Sequence, residues 1–222
     1  MEAVHRLEHE KLHGNGKGTT TTTTFPYSYR AAPPSDLLEA CRIDGVWKPR
    51  VGAYVGDVLI EIQAMGGVPA INAATLGQRF LPLLSWQEHR WDDSSAAGGL
   101  SPERVADLLY NNGPCIGVLW VISPWYQPID AADDAADGDT LVYTTGGCGR
   151  SDDIRRLSED LFDGHTVGWH AVVCFGYRFR DGHMHVLVLD NHTPTGPRRW
   201  IHVKEFHTLY TLTCLAPPSG RD

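Results

Sequence analysis

Two apolar segments folded about one dipeptide constrain this chain more than any other feature. Trp169-His170-Ala171-Val172-Val173-Cys174-Phe175-Gly176-Tyr177 is followed by Asp181-Gly182 and then by a returning run, His183 to Asn191, centred on Val186-Leu187-Val188-Leu189. Asp-Gly accepts positive φ at both central positions of a two-residue turn, so it joins antiparallel strands into a hairpin. Pairing about that turn brings His170 and Asn191 to the same end of neighbouring strands. A carboxamide oxygen at Asn191 can accept from one imidazole nitrogen, which fixes the ring tautomer and aims the other nitrogen at a partner.

The sequence around the hairpin predicts helices first and strands after. Ser35-Asp36 can cap a short helix through Cys41, and Val51–Ile62 has strand or short-helix character. Gly66-Gly67 breaks the chain. A helix is expected from Pro69 to about Leu84, with Pro at its first turn and Ile71, Leu76, Phe80, Leu83 and Leu84 as an apolar stripe. Another helix follows Ser101 as N-cap, with Pro102 at its first position and Val105, Leu108 and Leu109 apolar. It ends at Asn111-Asn112-Gly113-Pro114. Cys115–Ile122 is an almost unbroken apolar run, as in a buried strand. Strands are also expected at Thr140–Thr144, Trp200–Phe206 and Tyr210–Leu215, with a helical excursion over Asp152–Phe162. There is no internal repeat. Helices followed by a run of strands predict an α+β fold, not a βαβ sheet.

The 222 residues, 42% of them hydrophobic, suffice for one sizeable core or two small lobes. A net charge of −8 argues against a general nucleic-acid binder, which is normally basic. Much of the acid lies between Asp130 and Asp139, a run expected to be a solvated loop. No stretch approaches the ~20 apolar residues of a membrane span, and the first 30 residues hold no signal-peptide core. A chain without membrane association, cytoplasmic by default, is therefore expected. Five cysteines without a Cys-x-x-Cys argue for reduced thiols, with a Cys115–Cys148 pair left open. Residues 1–36, with Thr19 to Thr24 and Pro33-Pro34-Ser35, have the composition of a tail, and 216–222 form another. His5, His9 and His13 share a helical face there, which in a tail is chance spacing. His183 and His185 share one face of a strand, but two ligands beside a turn are too few for a metal. Arg198-Arg199 is expected to be solvated surface. No cofactor and no metal are implied.

His-Ala-Val leading to Gly-Tyr, then an apolar strand ending in Asn, resembles the His and Asn motifs of papain-like cysteine peptidases. Gly113-Pro114-Cys115-Ile116-Gly117-Val118 resembles the strand that precedes the His motif in that family. Leu141-Val142-Tyr143 ahead of Gly147-Cys148-Gly149 is similar to a further segment, and Pro102–Asn112 falls where the family has a helix. The resemblance covers roughly residues 101–214 and implies a papain-like domain over 37–215. Its helical part, shortened, would span about 37–112 and its antiparallel β part about 113–215. It also implies His170 and Asn191 as the catalytic pair and Gln63 as the oxyanion donor.

The departures from that pattern carry the functional expectation. After its Asn the family has Ser-Trp-Gly, whose Trp shields the His–Asn bond; here Asn191 is followed by His192-Thr193-Pro194, and Trp200 does not match. Aligned from Gln63, the nucleophile position falls on Pro69, or on Ala70 with one residue inserted. Neither has a nucleophilic side chain. A thiolate made reactive by an imidazolium and a helix N-terminus is what the chemistry requires. The resemblance therefore implies a pseudo-peptidase that binds a peptide or protein without cleaving it. An active peptidase with a displaced cysteine and a structural interaction module are the alternatives. Cys174, four residues past His170 on one strand, is about 13 Å from it along the chain.

Overall fold

Asp181 and Gly182 have φ of 52° and 74°, the two positive values that a two-residue hairpin turn of this type needs. They join strands Val167–Arg180 and His183–Leu189 as the sequence requires. The structure is a computed structural model that describes residues 29–31, 35–49, 52–72, 78–90, 100–122, 142–144, 167–190 and 198–214. The chain divides into two units, residues 1–87 with 212–222, and residues 88–211.

In the first unit, α1 spans Ser35–Ile43 and packs on α2, Val55–Ala64. Three antiparallel strands follow the order β1 (Tyr29–Ala31), β2 (Val68–Asn72), β3 (Gln78–Leu81). β1 lies inside the stretch whose composition suggested a tail. The helix expected over Pro69–Leu84 is not formed. In its place are β2, β3 and the start of β4, Leu83–Arg90. Gly67, at φ 132°, explains the difference. A Cβ there would meet the carbonyl of Leu81, so the glycine lets β2 run close beside β3. Pro69 pairs with Phe80 but lies beyond the β1 register, which ends at Ala70↔Ala31. Its missing N–H is therefore not required on that edge.

The second unit is built on a sheet in the order β4-β10-β5-β7-β8-β9-β6. Here β5 is Cys115–Ile122, β6 Val142–Tyr143, β7 Val167–Arg180, β8 His183–Leu189, β9 Arg198–His202 and β10 Phe206–Cys214. The pairings β10–β5, β5–β7, β7–β8 and β8–β9 are antiparallel, and β6 runs parallel to β9. Helix α3, Pro102–Asn112, starts as expected: the Ser101 hydroxyl accepts from the Arg104 N–H at 3.1 Å, and Pro102 occupies the first position. Its apolar side, Val105, Leu108 and Leu109, joins Leu119, Val172, Val186, Val188, Ile201 and Leu209 in one core. Each such side chain is worth about 1.5–3 kcal/mol of burial. The helical excursion expected over Asp152–Phe162 lies outside the described residues.

A bulge in β7 decides which residues face that core. Cys174 pairs with Val188, yet Gly176 pairs with Leu187, so one extra residue enters β7 between them. Before the bulge, His170, Val172 and Cys174 share the core side. After it, Tyr177 and Phe179 lie on the side of Val186 and Met184 but remain exposed beyond the core, while Arg178 and Arg180 pass to the outer face. Gly117 on β5 makes the core side possible: a Cβ there would lie 2.5 Å from the Phe206 ring and 2.6 Å from the Cys174 sulfur.

Candidate functional site

His170 sits on β7 opposite Leu119 of β5, with its side chain largely buried. Its Nε2 is 2.9 Å from Oδ1 of Asp190, the residue just past β8. Asp190 is fully buried, and its Oδ2 lies 3.0 Å from Nε of Arg199, only 2% exposed on β9. Strand alternation accounts for the convergence. Arg199 pairs with Val188, so it shares the core side with Val188 and Ile201, and Asp190 follows two residues after Val188 on that side. A buried carboxylate beside a guanidinium is ionised, because separating the pair would leave an uncompensated charge in low dielectric. Asp190 is then an acceptor only, so Nε2–H of His170 donates to it.

This triad changes two readings made from the sequence. Arg198 is exposed as expected, but Arg199 is buried and paired, not solvated. Period-2 alternation was the available signal: Arg199 stands two before Ile201 and four before Val203, and a charge on an apolar face demands a partner. Asp190, adjacent to the expected Asn191, was not anticipated. Asn191 itself lies outside the described residues. Trp200 pairs with Leu187 on the face opposite to His170, where the Arg178 guanidinium stacks on its ring at 4.1 Å.

Gln63 belongs to the first unit, at the last turn of α2. Its Nε2–H donates to the Leu84 carbonyl at 2.9 Å, and its Oε1 accepts from the Trp86 indole at 3.2 Å. One Nε2 hydrogen remains for another acceptor. Pro69 and Ala70 lie on β2, and Ala70 is fully buried. Neither stands at the start of a helix, so no helix dipole acts there.

Cys41, Cys115, Cys174 and Cys214 are all buried. Cys115 and Cys174 are direct cross-strand partners in the core. Burial, then the hydrogen bond to Cys115, pushes the Cys174 thiol well above its ordinary range. Cys115 forms no disulfide, and Cys148 lies outside the described residues. No group of three or more His, Cys, Asp or Glu among the described residues could hold a metal ion. No helix among them is long and apolar enough to cross a membrane.

No family model and no curated protein matches the chain. Solved structures do. Procathepsin B S9 from Trypanosoma congolense superposes with a TM-score of 0.52 at 12% identity, over 96% of this chain and 69% of that one. Procathepsin L2 proteinase from the larval midgut of Tenebrio molitor gives 0.42 at 15% identity, over 74% and 50%. A structure from a study of the mite allergens Blo t 1 and Der p 1 gives 0.47 at 10%, over 95% and 64%. The first of these, with the three helices and the large, mostly antiparallel sheet among the described residues, identifies the fold as that of papain-like cysteine peptidases, the α+β class expected. At such identities the likeness extends to the fold alone.

Proposed function

We propose that the chain is a papain-like peptidase homologue that binds a peptide or protein segment without cleaving it. The observation that carries this reading is strand β2. Pro69 and Ala70, which align with the nucleophile of the family, lie in a strand and offer no sulfur. Acyl transfer in this fold needs a thiolate, and a thiolate needs a cationic neighbour or a helix N-terminus to lower its pKa. The imidazole side of the machinery is represented by His170, held through Nε2–H by Asp190, with Asn191 next in sequence. We assign the His170 ring to the surface on which the bound chain lies. By its place in the sequence motif, Gln63 is the residue we assign as a donor to a peptide carbonyl oxygen.

The test uses the full chain. A thiol-directed epoxide probe is expected to leave every cysteine unlabelled under native conditions, and a peptide library is expected to remain uncleaved. Binding of library peptides, followed by fluorescence polarisation, should weaken in His170→Ala. Stoichiometric labelling of one cysteine, with hydrolysis lost in both His170→Ala and that Cys→Ala variant, would establish a displaced nucleophile and overturn the proposal.

A further inference from the structure

The outer face of β7, β8 and β9 carries a second cluster, turned away from His170. Arg178, His185 and His202 are successive partners across the three strands, and Arg180 with His183 forms the next pair toward the turn. The rings of His185 and His202 are 5.7 Å apart, and those of His183 and His202 are 5.3 Å apart. His185 is 8% exposed, and its Nδ1 is buried with no hydrogen-bond partner. A buried polar atom left unmatched costs free energy that a ligand can return.

The company of that nitrogen selects the ligand. A metal ion needs converging lone pairs, but the Nδ1 lone pair of His202 is already used by the Lys204 N–H at 3.1 Å. In the neutral ring Nε2 then carries the hydrogen and is a donor. Among the described residues, the groups facing His185 and His202 are Arg178 and Arg180 from β7, His183 from β8, and Lys204 and Glu205 from the turn after β9; Glu205 is acidic, and Asp181 of the hairpin turn lies 3.6 Å from Arg180 at the rim. Imidazole N–H donors beside a guanidinium suit an acceptor of negative charge. We propose that Arg178, His185 and His202, with His183 and Arg180 at the rim, form a binding site for a tetrahedral oxyanion, a sulfate or phosphate group.

Acid should strengthen this site. Burial first, and then Arg178, His202, His183 and Arg180, hold His185 below the ordinary histidine range. Burial and His183 lower His202, and Lys204 adds to this while Glu205 opposes it. A bound anion reverses the sign of the local field, so binding draws protons onto both rings and tightens as pH falls.

Sulfate is the suitable probe because its charge is constant between about pH 5 and 8, outside the titration range of its conjugate acid. The imidazole resonances of the full chain are followed by NMR during titration with sodium sulfate, against sodium chloride at equal ionic strength. Saturable shifts of His185 and His202 are expected, with affinity roughly tenfold higher at pH 5.5 than at pH 7.5. Arg178→Met and His202→Asn should each weaken sulfate by about tenfold while near-UV circular dichroism is unchanged; the Asn side chain retains a cap for Lys204. Inorganic phosphate and a sulfated polysaccharide form two further arms. Competition by phosphate alone assigns the site to a free oxyanion, and competition by the polymer at lower sulfate concentration assigns it to a group carried on a chain. Equal shifts in chloride, affinity independent of pH, or tighter binding of zinc to the same rings would each overturn the proposal.

Discussion

Arg199→Met should be among the most damaging single changes in the second unit. The guanidinium is 2% exposed and lies 3.0 Å from a carboxylate that is fully buried. At that separation and an effective dielectric of about 20, the pair attracts by about 5.5 kcal/mol. Burying both charges offsets much of this, so the intact pair contributes little net stability. Removing one member is different, because Asp190 keeps its desolvation cost and loses the charge that compensated it. The expected loss is ~3–5 kcal/mol, read as a lower urea midpoint at pH 7.5 by far-UV circular dichroism. Adding Asp190→Leu to Arg199→Met should restore part of the loss, because an apolar pair needs no compensating charge, the remainder being the acceptor that His170 Nε2 loses. If Arg199→Met alone stays within about 1 kcal/mol of wild type, or if the double variant is as weak as the sum of the singles, the buried pair described here is not what holds this corner.

Three other outcomes follow from particular contacts. Gly117→Ala should cost ~1–3 kcal/mol in urea denaturation, since its Cβ would overlap the Phe206 ring and the Cys174 sulfur; Gly176→Ala, with only ordinary contact to Leu187, should cost less. Stability should fall on acidification below about pH 6.5, the range in which unfolded histidines titrate. Burial is the first cause that lowers His89, His185, His202 and His207, so the unfolded chain binds more protons there. The contribution is present above the unfolded pKa and is lost as pH drops through the folded values; urea midpoints at pH 7.5 and 5.5 measure it. Cys115 and Cys174 should resist iodoacetamide in the native state and react in urea, followed by intact-mass spectrometry; fast native labelling would contradict their burial.

The β half of the molecule was legible because its signals are local. Asp181-Gly182 set the hairpin, Cys115–Ile122 was a continuous apolar run, and Ser101-Pro102 fixed the start of α3. Pro69–Leu84 was misread because its apolar residues satisfy a helical stripe as well as strand alternation. What decides the matter is the close approach of Gly67 to Leu81, a tertiary contact with no local trace. At the candidate site, His170 was found through its motif. Asp190 and Arg199 were not, because a buried ion pair depends on two strands meeting in one register, and Arg198-Arg199 resembles any solvated pair of charges. The three histidines of the outer face were half visible: His183 and His185 alternate in sequence, but His202 joins them only across β8 and β9.

The single extra residue in β7 acts as a phase shift along one strand. Up to Cys174 the even-numbered positions are committed to the interior; beyond Gly176 that side of the sheet passes to the odd-numbered Tyr177 and Phe179, which are exposed. One continuous ribbon therefore presents an imidazole to the inside at one end and guanidinium groups to the outside at the other, although His170 and Arg178 have the same parity. Deleting Phe175 would leave Gly176 opposite Leu187 and Arg178 opposite His185, so each end would keep its face: the extra residue alters the count along the strand, not the partner each end meets.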